Sequence, residues 1–198
     1  MIYTMSSKIS DTKKKIIETA ASLLLETQGE GVTMADIARS SGVSRQAVYL
    51  HFPKRAELMI AAVRYLDEVS GLDERVKRFR EANSGTEVLD AFVEFIGEHI
   101  SRIYGVAKAL MMVRHTDEAA AAAWADRMNS IRSGCRRTIE TIEHEGNLSP
   151  DWTVDEAVDL MWTMLSIENW ERLTKECGWS VSEYVERVRR CLKKAILN

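Results

Sequence analysis

Thr33-Met34-Ala35-Asp36-Ile37-Ala38-Arg39-Ser40-Ser41-Gly42-Val43-Ser44-Arg45-Gln46-Ala47-Val48-Tyr49-Leu50 is the stretch on which the fold of this 198-residue chain turns. Thr33, followed three residues later by Asp36, has capping-box spacing, with aspartate in the usual glutamate position. Ile37 and Ala38 then face inward, and Ala38 is small enough for a second helix to cross closely. Gly42 supplies a left-handed turn and Val43 plugs the corner. Ser44 caps a second helix whose Ala47 and Val48 pack inward, leaving Arg45, Gln46, Tyr49 and Leu50 outside. Such a helix fits the major groove of DNA, where arginine can chelate guanine and glutamine adenine. Its N-terminal end also suits phosphate.

Outward from that stretch, the periodicity is helical throughout. A first helix is expected over about 11–28, with Ile17, Ala20, Ala21 and Leu24 inward and Gly29 as its stop. Pro53 stands where a first helical turn accepts proline, ahead of the stripe Leu58, Ala62, Leu66 and Val69. From Thr86 a new stripe runs through Leu89, Phe92, Ile96, Ile100 and Ile103, and Gly105 sets off a short apolar piece, 106–113. A long helix is expected over about 117–145 on Trp124, Met128, Ile131, Cys135, Ile139 and Ile142. Thr153 with Glu156 and Ser180 with Glu183 are capping boxes opening the last two helices, the first expected over 154–177. No alternating strand pattern and no internal repeat occurs. The expectation is an all-α fold: an N-terminal three-helix helix-turn-helix domain over 1–53, and a C-terminal helical-bundle regulatory and dimerisation domain over 54–198.

The net charge of −3 argues by itself against a nucleic-acid binder. Its distribution argues the other way, since residues 1–55 hold eight basic side chains against five acidic ones and the remainder is acidic. No apolar run reaches membrane-spanning length, and the N-terminus lacks the apolar run of a signal peptide. Three cysteines cannot pair fully within one chain, so reduced, buried thiols in a cytoplasmic protein are expected. The enzyme reading has no support. No His-Glu-x-x-His or di-iron spacing occurs, Gly29-Glu30-Gly31 lacks the rest of a dinucleotide loop, and no nucleophile signature surrounds Cys135. Neither a metal nor a cofactor is expected.

The segments Gly31-Val32-Thr33, Ile37-Ala38, Gly42-Val43-Ser44, Val48-Tyr49 and His51-Phe52-Pro53-Lys54-Arg55-Ala56-Glu57-Leu58 together resemble the DNA-binding domain of TetR-type (TetR/AcrR) repressors, across about residues 11–62. The tyrosine, His-Phe, basic residue and Glu-Leu string is far more specific than a generic helix-turn-helix. The resemblance implies that Thr33, Tyr49, His51 and Arg55, with Lys54 beside it, hold phosphates. It implies that Arg45, Gln46 and Ala47, after the cap Ser44, meet base edges. Structural readings stand beside these: Thr33 as a cap alone, Tyr49 as packing, Arg45 as solvated, His51 as either. Two positions depart from the family pattern. Leu50 stands where a polar or basic side chain is common, and Arg55 replaces the usual lysine.

The resemblance further implies an effector-binding, dimer-forming C-terminal body, hence a ligand-responsive repressor on a palindromic operator. The alternative is a helical small-molecule sensor or interaction protein without DNA binding, supported only by Leu50. Candidate effector contacts are Phe92, Phe95 and His99 on one helical face, Met112, Trp124 and Met128, and then Trp162 and Glu168. Plain core packing explains the same stripes, and Glu168 is spaced for a surface ion pair with Arg172. The greasy 154–177 segment and the amphipathic last helix are candidates for a four-helix dimer interface, with Leu165, Tyr184, Val188 and Leu192 facing inward. Completing the monomer core is the equal alternative. The partners expected are a DNA operator, a second copy of the chain and a small molecule, with no membrane.

Overall fold

The computed structural model describes residues 10–71, 76–77, 81–82 and 84–198. Among them nine α-helices follow one another without a strand. They are α1 (Asp11–Glu26), α2 (Met34–Ser41), α3 (Arg45–His51), α4 (Arg55–Val69), α5 (Gly85–Val113), α6 (Glu118–His144), α7 (Val154–Met164), α8 (Ile167–Glu171) and, after a π-helical turn over Arg172–Glu176, α9 (Val181–Ile196). The caps explain the order. Ser10, Thr33, Ser44, Thr153, Ser166 and Ser180 each accept a backbone N–H from three residues on. At Thr33, Thr153 and Ser180 the acid three residues on closes the box reciprocally.

The chain divides into two compact units. The first comprises Met1–Asp67 and Tyr104–Trp124. Its core takes Ile16, Ala20 and Leu24 from α1, Ile37 and Ala38 from α2, Val48 from α3, and Leu58, Met59 and Ala62 from α4. Helices α1, α2 and α3 pack on one another. Gly42 adopts the left-handed conformation expected of it (φ +65°), which turns the chain from α2 into α3. Pro53 lies in the turn before α4 rather than in its first helical turn, and Val69 is exposed rather than part of the buried stripe.

Gly105 does not break the chain. Helix α5 runs through it, and a β-carbon there would collide with the backbone carbonyl of Leu24. The glycine lets the end of α1 pass against α5 at backbone contact, which is a packing reason and not a turn.

The second unit comprises Glu68–Ile103 and Ala125–Asn198. Val88, Leu89, Val93 and Ile96 of α5 are buried, as are Cys135, Ile139 and Ile142 of α6 and Tyr184, Val188 and Leu192 of α9. Arg189 and Lys193 of α9 pair with Asp90 and Glu94 of α5. The loop after α6 is tied to the C-terminus, where Ser149 N–H donates to the Ile196 carbonyl (2.8 Å) and Trp152 Nε1 to the Ala195 carbonyl (2.7 Å). The single helix expected over 154–177 is instead broken at Ser166. That residue caps α8, and Asn169 Nδ2 donates back to the Thr163 carbonyl (2.6 Å), which also accepts the Ser166 N–H (3.2 Å). Cys135 is buried, and burial pushes its thiol up to about 12, so it is inert. Cys177 and Cys191, expected to be buried, are exposed. Among the described residues no helix is long and apolar enough to cross a membrane, and no cluster of His, Cys, Asp and Glu could hold a metal.

Candidate nucleic-acid interface and ligand cavity

Helix α3 is built to present one face. Ser44 Oγ accepts from the Ala47 N–H (3.1 Å), which fixes the first turn. Val48 is fully buried and anchors the helix, while Ala47 is half-buried at its edge. Full burial of a side chain of that size contributes about 1.5–3 kcal/mol, enough to hold a seven-residue helix that could not form alone. Arg45 and Gln46 are exposed, Tyr49 is 40% exposed and Leu50 80%. The Arg45 guanidinium lies over the Tyr49 ring (5.8 Å), so these two side chains form one surface. Beside them, Leu50 presents an apolar side chain with no polar atom to offer.

At the entry to α2, Thr33 is held by its own box. Its Oγ1 donates to Asp36 (2.5 Å), and Thr33 N–H donates to the same carboxylate (3.1 Å). These hydrogen bonds hold the Asp36 carboxyl below its ordinary value, helped by Arg39. His51 is half-buried in the last turn of α3. Lys54 is exposed, with Nζ 3.6 Å from the Asp117 carboxylate. Arg55 differs from the expectation of a free phosphate-holding cation. Its guanidinium donates to the Val32 carbonyl, it is half-buried, and burial lowers its pKa. Arg55 therefore ties the start of α4 to the segment before α2, a tether that sequence alone did not suggest.

A cavity of about 430 Å³ lies between α5 and α6 in the second unit. One wall is a ladder of rings at helical spacing. Phe92 and Phe95 have centroids 6.3 Å apart, and Phe95 and His99 stack at 5.6 Å and 7°. The other wall is the α6 face carrying Arg127, Ser130, Ile131, Gly134 and Arg137. Arg127 Nη1 sits 3.1 Å from His99 Nε2. Arginine can only donate, so Nε2 is the acceptor in this contact.

Of the eight candidate effector residues, the cavity brings together Phe92, Phe95 and His99. The rest lie elsewhere. Met112 is 60% exposed, Trp124 packs under Arg114 (4.9 Å), Met128 is half-buried beside the α6 face, Trp162 lies under Arg132 (5.4 Å) and Glu168 is exposed on α8. Arg127 and Arg137 were missed, although the spacing 127, 130/131, 134, 137 marks one helical face in the sequence. The four candidate interface residues are all in the interior of a single chain. Leu165 and Tyr184 are fully buried, Val188 and Leu192 nearly so, and the Tyr184 hydroxyl donates to the Met164 carbonyl (3.2 Å). Their apolar pattern reports the monomer core, the alternative left open above.

Comparison with known proteins agrees with this geometry. Residues 16–62 match the model of the bacterial regulatory proteins of the tetR family. Over 80 residues, 40% of each chain, the protein is 31% identical to the nucleoid occlusion factor SlmA of Marinomonas sp.. The match to that relative thus spans well under half of its length. Over 155 residues, 71% of this chain and 80% of the other, it is 29% identical to the uncharacterized HTH-type transcriptional regulator Mb2274c of Mycobacterium bovis. A transcriptional regulator from Saccharomonospora viridis, solved in complex with choline, shares the fold with a TM-score of 0.80 at 20% identity, over 96% of this chain and 100% of that one. Residues 16–62, which include the formed helix-turn-helix over α2 and α3, thus match the bacterial tetR family of regulatory proteins, and the helical body that follows shares the fold of the solved regulator.

Proposed function

We propose that the protein is a cytoplasmic, ligand-responsive repressor that binds a palindromic operator as a homodimer and releases it when a small molecule fills the cavity between α5 and α6. The observation that carries this reading is the face of α3: a short helix, capped by Ser44 and anchored by Val48, that leaves Arg45, Gln46 and Tyr49 in the open. Arg45, Gln46 and the edge methyl of Ala47 are assigned to base edges. Thr33, Tyr49, His51 and Lys54 are assigned to phosphates, and Arg55 to positioning. Release is a population shift, which requires the ligand to bind the DNA-free arrangement more tightly than the DNA-bound one. The choline complex of the Saccharomonospora viridis regulator supports a small ligand in a body of this fold.

The test is retention of genomic fragments at moderate salt, followed by binding to single-base variants of the retained site. Loss of one good bidentate base contact costs about 1–3 kcal/mol and relaxes preference at one base pair. Arg45→Ala should flatten the preference at one position in each half-site and leave the others intact. An unchanged profile would remove α3 as the reading helix. The exposed Leu50 favours the second reading, a sensor without DNA binding. Failure of the native protein to retain any fragment would select that reading.

A further inference from the structure

We infer that Leu50 reads sequence: its side chain seats against the 5-methyl group of a thymine in the major groove, in the half-site that Arg45 and Gln46 read. This role rests on α3 being the reading helix, as proposed above, and adds a base contact to those assigned there. Leu50 is 80% exposed, the most exposed of the large apolar side chains among the described residues. Its place on the helix is set by Val48, the fully buried anchor. At about 100° per residue, Leu50 and Gln46 each lie two positions from Val48 and so about 160° around from it, on the face turned furthest from the core. They are also one turn apart, so a polar amide and an apolar side chain stand in one row. Arg45 and Tyr49, four residues apart with the guanidinium 5.8 Å from the ring, form the row beside it.

The surroundings of Leu50 select its partner. Helix α3 carries no acidic side chain, which suits a face laid on DNA. Gln46 and Ala47, one turn before Leu50, are polar and small. Leu50 is therefore a lone apolar side chain and not part of the contiguous apolar patch that marks a protein-binding surface. It has no donor for a phosphate or for a polar base edge. The major groove offers such a side chain one apolar group, the 5-methyl of thymine, which stands beside a polar O4 as Leu50 stands beside Gln46. Leu50 lies five residues beyond Arg45, about 7.5 Å along the helix. Successive base pairs are about 3.4 Å apart, so the thymine falls within about three pairs of the one that Arg45 reads.

The test replaces thymines one at a time by uracil in an operator recovered by retention of genomic fragments. That change removes the 5-methyl group and leaves every hydrogen-bonding atom in place. Binding of the full native chain and of Leu50→Ala is measured on each duplex. Burial of one methyl-sized apolar group corresponds to about a fourfold change in an equilibrium constant, so one thymine per half-site should show a uracil penalty of about that size in the native protein. In Leu50→Ala the penalty at that thymine should fall to about unity. The variant should fold, since the position is exposed and alanine is the better helix former. Its salt dependence should match the native one, which loss of a phosphate contact would not allow. No methyl-sensitive thymine within about three pairs of the position that Arg45→Ala flattens, an equal uracil penalty in Leu50→Ala and the native chain, or a reduced salt slope in Leu50→Ala would overturn the inference. The two readings fail separately. A native chain that retains no fragment, or an unchanged profile for Arg45→Ala, removes α3 as the reading helix and the role of Leu50 with it. A profile flattened by Arg45→Ala, with no thymine that responds through Leu50, keeps the reading helix and removes the role of Leu50 alone.

Discussion

Lys54 and Arg55 adjoin in sequence and carry the same charge, yet different things hold them. The Lys54 ammonium is exposed and 3.6 Å from Asp117, a loose pair that a phosphate can replace. The Arg55 guanidinium is half-buried and spends a donor on the Val32 carbonyl. The two substitutions therefore separate. Lys54→Ala should flatten the salt dependence of DNA binding by about one unit of slope and leave the melting temperature unchanged. Arg55→Ala should leave the slope alone and cost about 1.5–3 kcal/mol of stability, the range for a hydrogen bond to a charged group, with Arg55→Lys recovering part of it. Salt-dependent binding and thermal melts on the same three variants decide it. A fall in slope for Arg55→Ala would restore the phosphate role that the family resemblance implies.

At the scale of elements, Gly105 gives a prediction whose sign runs against helix propensity. Alanine in mid-helix is favoured over glycine by about 1 kcal/mol. Here the new β-carbon meets the Leu24 carbonyl, a backbone group of another helix that cannot swing aside. Overpacking of that kind costs about 1–3 kcal/mol, so Gly105→Ala should lower the melting temperature, and a rise would show that α1 and α5 do not pass at backbone contact. The capping boxes give a pH dependence. Hydrogen bonds from Thr33, Thr153 and Ser180 lower the carboxyl pKa values of Asp36, Glu156 and Glu183 in the folded protein. A lowered folded value contributes stability above the unfolded value that is lost as pH falls through the folded one. Melts should thus be flat in this contribution down to about pH 4 and decline below it, and Asp36→Asn should remove part of the decline. The elements that sequence made legible are those whose signal is local. Thr33 with Asp36, Gly42 and Ser180 with Glu183 state their geometry within four residues, and all formed as read. Gly105 and Ser166 were misread because their meaning depends on a partner. A mid-helix glycine looks the same whether it ends a helix or admits a neighbour, and the apolar stripe continues across Ser166 although the helix does not. The cavity was half legible for a related reason. Its aromatic wall is conspicuous on α5, while Arg127 and Arg137 on α6 went unnoticed because nothing local to α6 shows the ring ladder opposite them.

On the scale of the whole molecule, the open question is how one short reading helix gains enough affinity to regulate. The N-terminal 55 residues carry eight basic against five acidic side chains, a modest electrostatic contribution. Two reading heads on one rigid pair would bind half-sites spaced by about one helical turn or a multiple of it, which is why the proposed function requires a dimer. The surface for it must differ from the residues first expected, since a charge at Leu165 or Val188 would enter the interior of one chain and unfold it. Leu160 and Met164, four residues apart on α7 and only half-buried, form an apolar row beside the buried Ala157 and Met161. The native protein should sediment as a dimer at micromolar concentration. Leu160→Glu combined with Met164→Glu should shift it to monomer with little change in the thermal melt, because neither side chain fills the core. The same double variant should lose operator binding far more than it loses binding to a single half-site, since only the first depends on two linked heads. A native monomer, or a double variant that stays dimeric and still holds the full operator, would place the pairing surface elsewhere or remove it.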